Sequence, residues 1–206
     1  MVQILNRGST RTSPRAQRKT EARRAEILRA AARVFRRKGV AAAGMREIAE
    51  EADLSPGILY YYFSGKDEIL QYCQDRTLEH MLAAAEAARA TPASTPERLR
   101  AVLRAHVQAM LGELEGATAH LEVEALPEGM REAMIAKRDR YEHEVRALVA
   151  EGMKRGELAK ADAALVTRAM LGAVNWSARW FRPDGKLRSA EVAQSLADYL
   201  VRGLTK

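Results

Sequence analysis

Apolar residues recur at helical spacing along nearly the whole chain, and no stretch shows the two-residue alternation of a half-buried strand. Ile27, Leu28 and Ala31 begin one such row, and Val192 and Leu196 belong to another near the opposite end. Amphipathic helices bury their apolar faces by packing on one another. The sequence therefore predicts an all-α fold.

Caps and breakers divide these rows into separate helices. Gly39 is a typical C′ residue, Thr95-Pro96 reads as an N-cap followed by N1, and Arg182-Pro183-Asp184-Gly185 reads as a turn. The predicted helices lie at about 20–38, 45–52, 56–62, 65–90, 95–114, 118–125, 127–155, 162–181 and 188–204.

Positive charge is concentrated at the N-terminus. Residues 1–40 contain twelve Lys/Arg and two acids, a net charge of +10, while the rest of the chain nets −3. Residues 1–19 lack a packing pattern and are predicted to be a flexible basic arm. Such an arm either attracts a polyanion such as DNA or acts as a solvated tail.

Composition excludes several classes of protein. One cysteine, Cys73, cannot form an internal disulfide, and neither a signal peptide nor a membrane-spanning run is visible, so a cytoplasmic protein is expected. The four histidines lack metal-ligand spacing, and P-loop and Rossmann fingerprints are missing. The sequence therefore predicts a protein that is not an enzyme, without catalytic residues, metal or cofactor.

Residues 44–66 read GMREIAEEADLSPGILYYYFSGK and contain the most informative pattern. Gly44 is a candidate cap with Glu47 at N3, Asp53 would adopt a left-handed conformation, and Ser55-Pro56 starts a second short helix. Two short helices separated by about four turn residues have the spacing of a helix-turn-helix, whose second helix enters the major groove of DNA.

The second helix is unusually aromatic. Tyr60, Tyr61 and Tyr62 are consecutive, so they fan around the helix and cannot all be buried. Their hydroxyls and rings suit phosphates and base edges, and Gly57 would permit close approach of the backbone to DNA. The alternative is that the tyrosines are half-buried packing residues.

Lys66 lies in the first turn of the next long helix, after a capping-box-like Ser64 and Asp67. A cation there opposes the helix dipole and would gain nothing locally. A bound phosphate would satisfy both the lysine and the free N–H groups.

The run IAEEADLSPGILYYYFSGKDEIL resembles the signature of the TetR family, although Asp53 stands where that family usually has Gly and Tyr62 where His is common. The resemblance implies a three-helix DNA-binding domain at 20–83, with its motif at 44–63. It further implies a helical effector-binding and dimerisation domain at 84–206. The DNA-contacting positions that it implies are Arg46, Ser55, Gly57, Tyr60, Tyr61, Tyr62 and Lys66.

Two C-terminal helices have the composition of a dimer interface. The helix at 162–181 combines small residues with Trp176 and Trp180, and the last helix repeats Leu196, Tyr199 and Leu200. Two such helices from each subunit would form an isologous four-helix bundle. The alternative is that these faces are the core of a monomer.

The segment NWSARWFRPDG at 175–185 is similar to a TetR subset with an N-W-x-x-R-W-Y-R-P-x-G motif. Regulators of that type often govern fatty-acid, phenylacetate or steroid breakdown, and several sense acyl-CoA thioesters. The resemblance implies an amphipathic effector such as an acyl-CoA for this chain.

Arg138 interrupts an apolar row, so it needs either a carboxylate such as Glu122 or Glu124, or an anionic ligand. His106 is either a core histidine with satisfied bonds or a ligand contact. Met110 and Met134 are most simply core residues, although flexible methionines also suit an adaptable pocket. With Lys137 and Arg140, Arg138 would form a basic cluster for the phosphates of the effector. The predicted pocket residues are His106, Met110, Leu114, Met134, Arg138, Tyr141, Trp176 and Trp180.

These patterns together predict a dimeric, ligand-responsive repressor that binds palindromic operator DNA and does not enter a membrane. Two alternatives remain open. An architectural DNA-binding protein would need no effector and show little sequence preference, and an acyl-CoA-binding carrier would ignore DNA.

Overall fold

The regular structure of the chain is helical throughout the described residues, 13–112 and 123–205, of this computed structural model. The elements are α1 (Pro14–Lys38), α2 (Met45–Glu51), α3 (Pro56–Tyr62), α4 (Lys66–Ala90), α5 (Thr95–Leu111), a 3-10 helix (Val123–Ala125), α6 (Glu128–Lys154), α7 (Ala163–Trp180) and α8 (Ser189–Arg202). The predicted all-α class is confirmed for this part of the chain. None of these helices is long and apolar enough to cross a lipid bilayer.

A serine followed by proline starts both α1 and α3. The Ser13 hydroxyl accepts a hydrogen bond from the Ala16 amide at 3.3 Å, and Pro14 fixes the first helical φ angle. Helix α1 thus begins about six residues earlier than predicted, because Ser13-Pro14 starts it ahead of the apolar row. Residues 14–19 of the predicted flexible arm are helical, and residues 1–12 lie outside the described residues.

Helix α5 is capped by Ser94 rather than by Thr95. The Ser94 and Glu97 side chains exchange hydrogen bonds with each other's backbone amides, as in a capping box. Thr95 is instead fully buried, and its amide donates to Glu157 Oε2 at 2.6 Å. Of the short helix predicted at 118–125, only the 3-10 turn Val123–Ala125 falls within the described residues.

The N-terminal domain has a small core at the junction of α1, α2 and α3. Its largest members have no more than 1% of their surface exposed, and they come from all three helices and the residue that follows α3: Ile27, Val34, Phe35, Ile48, Leu59 and Phe63. This burial fixes the outward direction of the opposite face of α3.

Helix α5 is the centre of the C-terminal domain, where it contacts α4, α6, α7 and α8. Helix α4 belongs to both domains, because it contacts α1 as well as α5 and α6, and its buried residues form part of one continuous core. The boundary predicted at residues 83/84 therefore falls inside a continuous helix.

Candidate nucleic-acid interface and effector region

The turn between α2 and α3 has the geometry predicted from the sequence. Asp53 has φ 54°, and it is the one non-glycine residue with positive φ in the described part of the chain. The Leu54 amide donates to the Ala49 carbonyl at 2.9 Å, and the Gly44 amide donates to Glu47 Oε2 at 3.2 Å. The first bond closes the turn after α2 and the second caps the start of α2, and the left-handed prediction for Asp53 is confirmed.

Helix α3 buries one side and presents the other to solvent. Leu59 is completely buried, whereas Tyr60 and Tyr61 are 53% and 81% exposed. The Tyr62 ring is half-buried and meets the Tyr61 ring edge to face, with centroids 5.1 Å apart. Core packing thus explains Leu59 but not the two exposed phenols.

The N-terminal end of α3 is open to a large ligand. The Ser55 hydroxyl accepts from the Ile58 amide at 3.4 Å, and a Cβ atom added to Gly57 would meet nothing within 4 Å. Arg46 of α2 is also exposed. A phosphate backbone could approach the peptide groups of Gly57 without displacing protein atoms.

Arg24 supports the other end of α3, a role that was not predicted. Its guanidinium lies 5.2 Å from the ring centroids of both Phe63 and Tyr72, and its Nη2 donates to the Tyr62 carbonyl at 3.4 Å. The Tyr72 hydroxyl in turn donates to Glu21 at 2.6 Å. Cation–π contacts and a hydrogen bond to a helix C-terminal carbonyl both favour this position of the arginine.

Lys66 has an intramolecular role that contradicts the expected lack of local partners. Its Nζ donates to the carbonyls of Val40, Ala41 and Ala43 at 3.2, 2.9 and 3.4 Å. An ammonium has three N–H donors, so these three carbonyls engage all of them. Lys66 therefore ties the α1–α2 loop to the start of α4.

The cap of α4 also differs from the one predicted. The Ser64 amide and hydroxyl both donate to Glu68 Oε2, at 2.7 and 2.8 Å, so Glu68 rather than Asp67 closes the first turn. Gly65 holds the N-cap position itself. A carboxylate in that turn also complements the helix dipole.

Some basic residues of α1 pair with acids and others do not. Towards its C-terminal end, Arg33 and Arg37 both pair with Glu51, at 2.6 and 2.7 Å. Towards its N-terminal end, Arg15 and Arg18 are exposed and form no ion pair within the described residues. In this part of the chain, unpaired positive charge is therefore available to a polyanion at the start of α1 and again at the exposed Arg36, while Arg23 between them pairs with Glu26.

His106 lies at the centre of a buried polar chain in the C-terminal domain. Its Nδ1 is 3.1 Å from the Tyr141 hydroxyl, and its Nε2 is 3.0 Å from Asn175 Oδ1 and 3.2 Å from Met110 Sδ. A neutral ring satisfies both sides, because Nε2–H donates to Asn175 while Nδ1 accepts from Tyr141. Burial lowers the pKa of His106 to about 4 and raises the pKa of Tyr141.

Arg138 lies next to this chain on α6. Burial lowers its pKa and the charge of Glu124 raises it, so the carboxylate suggested by the sequence is nearby. The Arg138 charge also contributes to the low pKa of His106. Met134, one turn away, is buried in the core as expected.

Two other cations on α6 are neutralised by acids of α4. Lys137 forms an ion pair with Asp75, and Arg140 pairs with Glu86 at 3.1 Å. The sequence predicts that these cations form, with Arg138, a basic cluster open to ligand phosphates. The ion pairs give Lys137 and Arg140 protein partners and so do not support that prediction for these two residues.

The two tryptophans of α7 do not line an interior pocket. Trp176 and Trp180 are 65% and 43% exposed, because the helix turns Asn175 rather than the indole rings towards His106. The single chain therefore does not support their prediction as pocket residues together with His106. Leu114, another predicted pocket residue, lies outside the described residues.

An apolar surface covers the outer side of α7 and α8. Leu165, Trp176 and Tyr199 are all more than 60% exposed. A groove of about 500 Å³ between the two helices is lined by Met170 and Leu200 among others. We call this surface the α7–α8 face, and exposed apolar area of this kind marks an interaction site.

Both parts of the chain match known families. Residues 27–73 match the family of bacterial regulatory proteins named tetR, and residues 92–204 match the tetracyclin repressor-like C-terminal domain. The chain is 27% identical over 190 residues to the HTH-type transcriptional repressor KstR2 of Mycobacterium tuberculosis, covering 89% of this chain and 94% of KstR2.

Solved structures extend the likeness. The TetR family transcriptional regulator PfmR from Thermus thermophilus is 35% identical with a TM-score of 0.77, over 87% of this chain and 99% of PfmR. AibR, solved in complex with isovaleryl coenzyme A and operator DNA, shares the fold at 24% identity and a TM-score of 0.70, over 89% and 98% of the two chains. With its helix-turn-helix and both matching domains, the chain belongs to the TetR family of bacterial transcriptional regulators.

Proposed function

We propose that this regulator is a dimeric repressor that binds a palindromic operator and is released by an amphipathic small molecule, most simply an acyl-CoA. The observation that carries the DNA-binding part is α3, whose exposed Tyr60 and Tyr61 stand opposite a fully buried Leu59. Such a helix can enter a major groove without disturbing its own core. Its place of action would be the cytoplasm, where the operator is.

The α7–α8 face supports dimerisation. Trp176 and Tyr199 expose most of their surfaces in the single chain, which an isologous contact would remove from water. A dimer would also present two α3 helices, as a palindromic operator requires.

Three features support an amphipathic effector, and the last of them favours an acyl-CoA. Arg138 is a partly desolvated cation next to the apolar interior of the C-terminal domain. A cation in this position can bind an anionic or strongly polar head group while the attached acyl chain packs in the interior. The similar protein KstR2 is a repressor described as a ketosteroid regulator, and AibR shows that this fold accommodates an acyl-CoA and operator DNA. Binding of the effector to a conformer with misspaced α3 helices would release DNA.

Selection from random duplex DNA tests the operator. We expect enrichment of an inverted repeat with half-sites about one helical turn, or a small multiple of it, apart. An architectural protein would enrich no sequence, and a carrier would retain no DNA at all. Either outcome would remove the repressor hypothesis.

Titration of acyl-CoAs of several chain lengths into the protein–operator complex tests the effector, with free CoA as the control. Arg138→Ala should weaken acyl-CoA binding while operator binding stays close to that of wild type. The matched control is Arg140→Ala, on the same helix but paired with Glu86. If no acyl-CoA releases DNA at micromolar concentration, this effector class is wrong and only the DNA-binding part remains.

A further inference from the structure

A cleft of about 620 Å³ lies where α1 of the DNA-binding domain meets the end of α7 and the turn after it. Three arginines line it: Arg36 from α1, Arg179 from the last turn of α7, and Arg182 from the turn. The acid among its lining residues is Asp184, so these four side chains carry a net charge of +2. The net positive charge of this lining favours binding of an anion in the cleft.

Arg179 and Arg182 differ from most other arginines of the C-terminal domain, and Arg36 differs from Arg33 and Arg37 of its own helix. Within residues 13–112 and 123–205, Arg36, Arg179 and Arg182 make no ion pair, whereas Arg98 pairs with Glu151 and Arg168 with Glu142. Within the same residues, these three side chains donate one hydrogen bond, from Arg182 Nη1 to the neighbouring Phe181 carbonyl at 3.5 Å. Within the described residues, most of their side-chain donors therefore have no protein partner.

The cleft also has an apolar wall. Phe181 is half-buried, and with Leu111 and Pro183 it lines the cleft beside the arginines. Guanidiniums bind phosphates in bidentate geometry, and an aromatic ring offers a stacking surface to a planar base. The Asp184 carboxylate can accept a hydrogen bond from an amino or hydroxyl group of the same ligand. Together these groups match a nucleotide that carries more than one phosphate.

We propose that this cleft binds the phosphorylated nucleotide part of the effector, and that the bound nucleotide bridges the DNA-binding and C-terminal domains through Arg36, Arg179 and Arg182. The proposal rests on the proposed function, since it names the cations that meet the phosphates of an acyl-CoA in place of Lys137 and Arg140. An anion held by both domains would fix the orientation of α1, and with it that of α3, relative to the C-terminal core.

Calorimetry on the full-length protein tests the site with three probes. We use CoA, adenosine 3′,5′-diphosphate as the nucleotide alone, and pantetheine as the arm without phosphate. Wild type should bind the first two and not the third. Arg179→Ala and Arg36→Ala should each weaken CoA binding about tenfold, equal to about 1.4 kcal/mol for one lost phosphate contact. Arg179→Lys keeps the positive charge but loses the bidentate geometry of the guanidinium, so its CoA affinity should lie between those of wild type and Arg179→Ala.

The matched control is Arg168→Ala, an exposed arginine on the same helix that is paired with Glu142 and should leave CoA binding unchanged. Equal CoA affinity in wild type and Arg36→Ala would overturn the claim that the nucleotide bridges the two domains. Equal CoA affinity in wild type and all the cleft-arginine variants would overturn the claim that CoA binds in this cleft. Loss of operator binding in these variants without any ligand would assign the cleft to DNA instead. Failure to bind CoA at millimolar concentration would also refute the proposal, while a selected operator would still support the repressor.

Discussion

Helices α3 and α7 both expose aromatic rings, yet their surroundings differ. On α3, Tyr60 and Tyr61 stand near Ser55, the open backbone at Gly57 and the exposed Arg46 of α2. Phenols among hydrogen-bond donors and positive charge suit a polyanion with polar edges. Exposure alone would not distinguish this surface from an ordinary protein contact.

On α7, Trp176 and Trp180 share a helix with the exposed Ala169 and Gly172 and the apolar Leu165. Small residues between large ones allow close packing of another helix. The apolar α7–α8 face is therefore better suited to contact with a second protein chain than to contact with a phosphate. The comparison teaches that the neighbours of an exposed ring, rather than the ring itself, indicate whether DNA or a second protein chain covers it.

The largest expected effect comes from a charge on the α7–α8 face. Trp176→Glu should convert the dimer to a monomer and weaken operator binding by about a hundredfold or more, equal to about 3 kcal/mol, because two unpaired carboxylates would be buried at the interface. Light scattering after gel filtration measures the mass, and fluorescence anisotropy measures the affinity. Ile135→Glu adds the same charge at an exposed apolar position of α6, and we expect it to leave both unchanged. A dimeric Trp176→Glu protein would contradict the comparison.

Removing a ring from α3 should affect DNA binding alone. Tyr61→Ala should weaken binding to the selected operator by about 1–3 kcal/mol, with unchanged mass and stability, because the side chain is 81% exposed and packs little on the core. Tyr61→Phe separates the hydroxyl from the ring. Ile135→Ala removes a comparable apolar surface from α6 as the control. Wild-type affinity in a folded Tyr61→Ala protein would remove α3 as the recognition helix.

Acid should lower the stability of the C-terminal domain, which contains α7, rather than that of the DNA-binding domain, which contains α3. The pKa of His106 is about 4 in the folded chain against 6.5 for a free histidine, so between these values only the unfolded chain takes up the proton. Stability therefore falls as the pH falls through this window. From pH 7 to pH 5 the loss should be about 2 kcal/mol.

The control for this prediction is His106→Gln, which cannot titrate and should lack that part of the pH dependence. Urea unfolding of both proteins at pH 7 and pH 5, at equal protomer concentration, gives the difference. An identical pH dependence in the two proteins would mean that folding does not lower the pKa of His106.

Features that depend on residues close together in the sequence were predicted better than contacts between residues far apart in it. The left-handed Asp53, the bounds of α3 and the Gly44–Glu47 cap depend on residues a few positions apart, and the structure agrees with each. The Arg24 contact with the Tyr62 carbonyl joins residues 38 positions apart, and no periodicity encodes it.

The predicted effector site illustrates the same limit. A helical row indicates that Trp176 and Asn175 share a helix, but not which of them turns towards His106. Likewise, the basic residues near Arg138 were visible in the sequence, whereas the α4 acids that pair with them became neighbours only through packing. Charge partners between helices depend on crossing geometry, which sequence spacing does not give.

The smallest expected effect concerns Lys66. It tests which residues near α3 stabilise the fold and which contact DNA. Because its ammonium already donates to three carbonyls, Lys66→Ala should lower the free energy of unfolding by about 1 kcal/mol and leave the salt dependence of operator binding unchanged. Arg46→Ala, at an exposed position of α2, should do the reverse: equal stability, and a salt slope smaller by about 1 because one phosphate contact is lost. Urea unfolding and anisotropy at several salt concentrations measure both quantities for both variants. A salt slope reduced in Lys66→Ala would mean that the lysine leaves the α1–α2 loop for a phosphate when DNA binds, as the family resemblance implies.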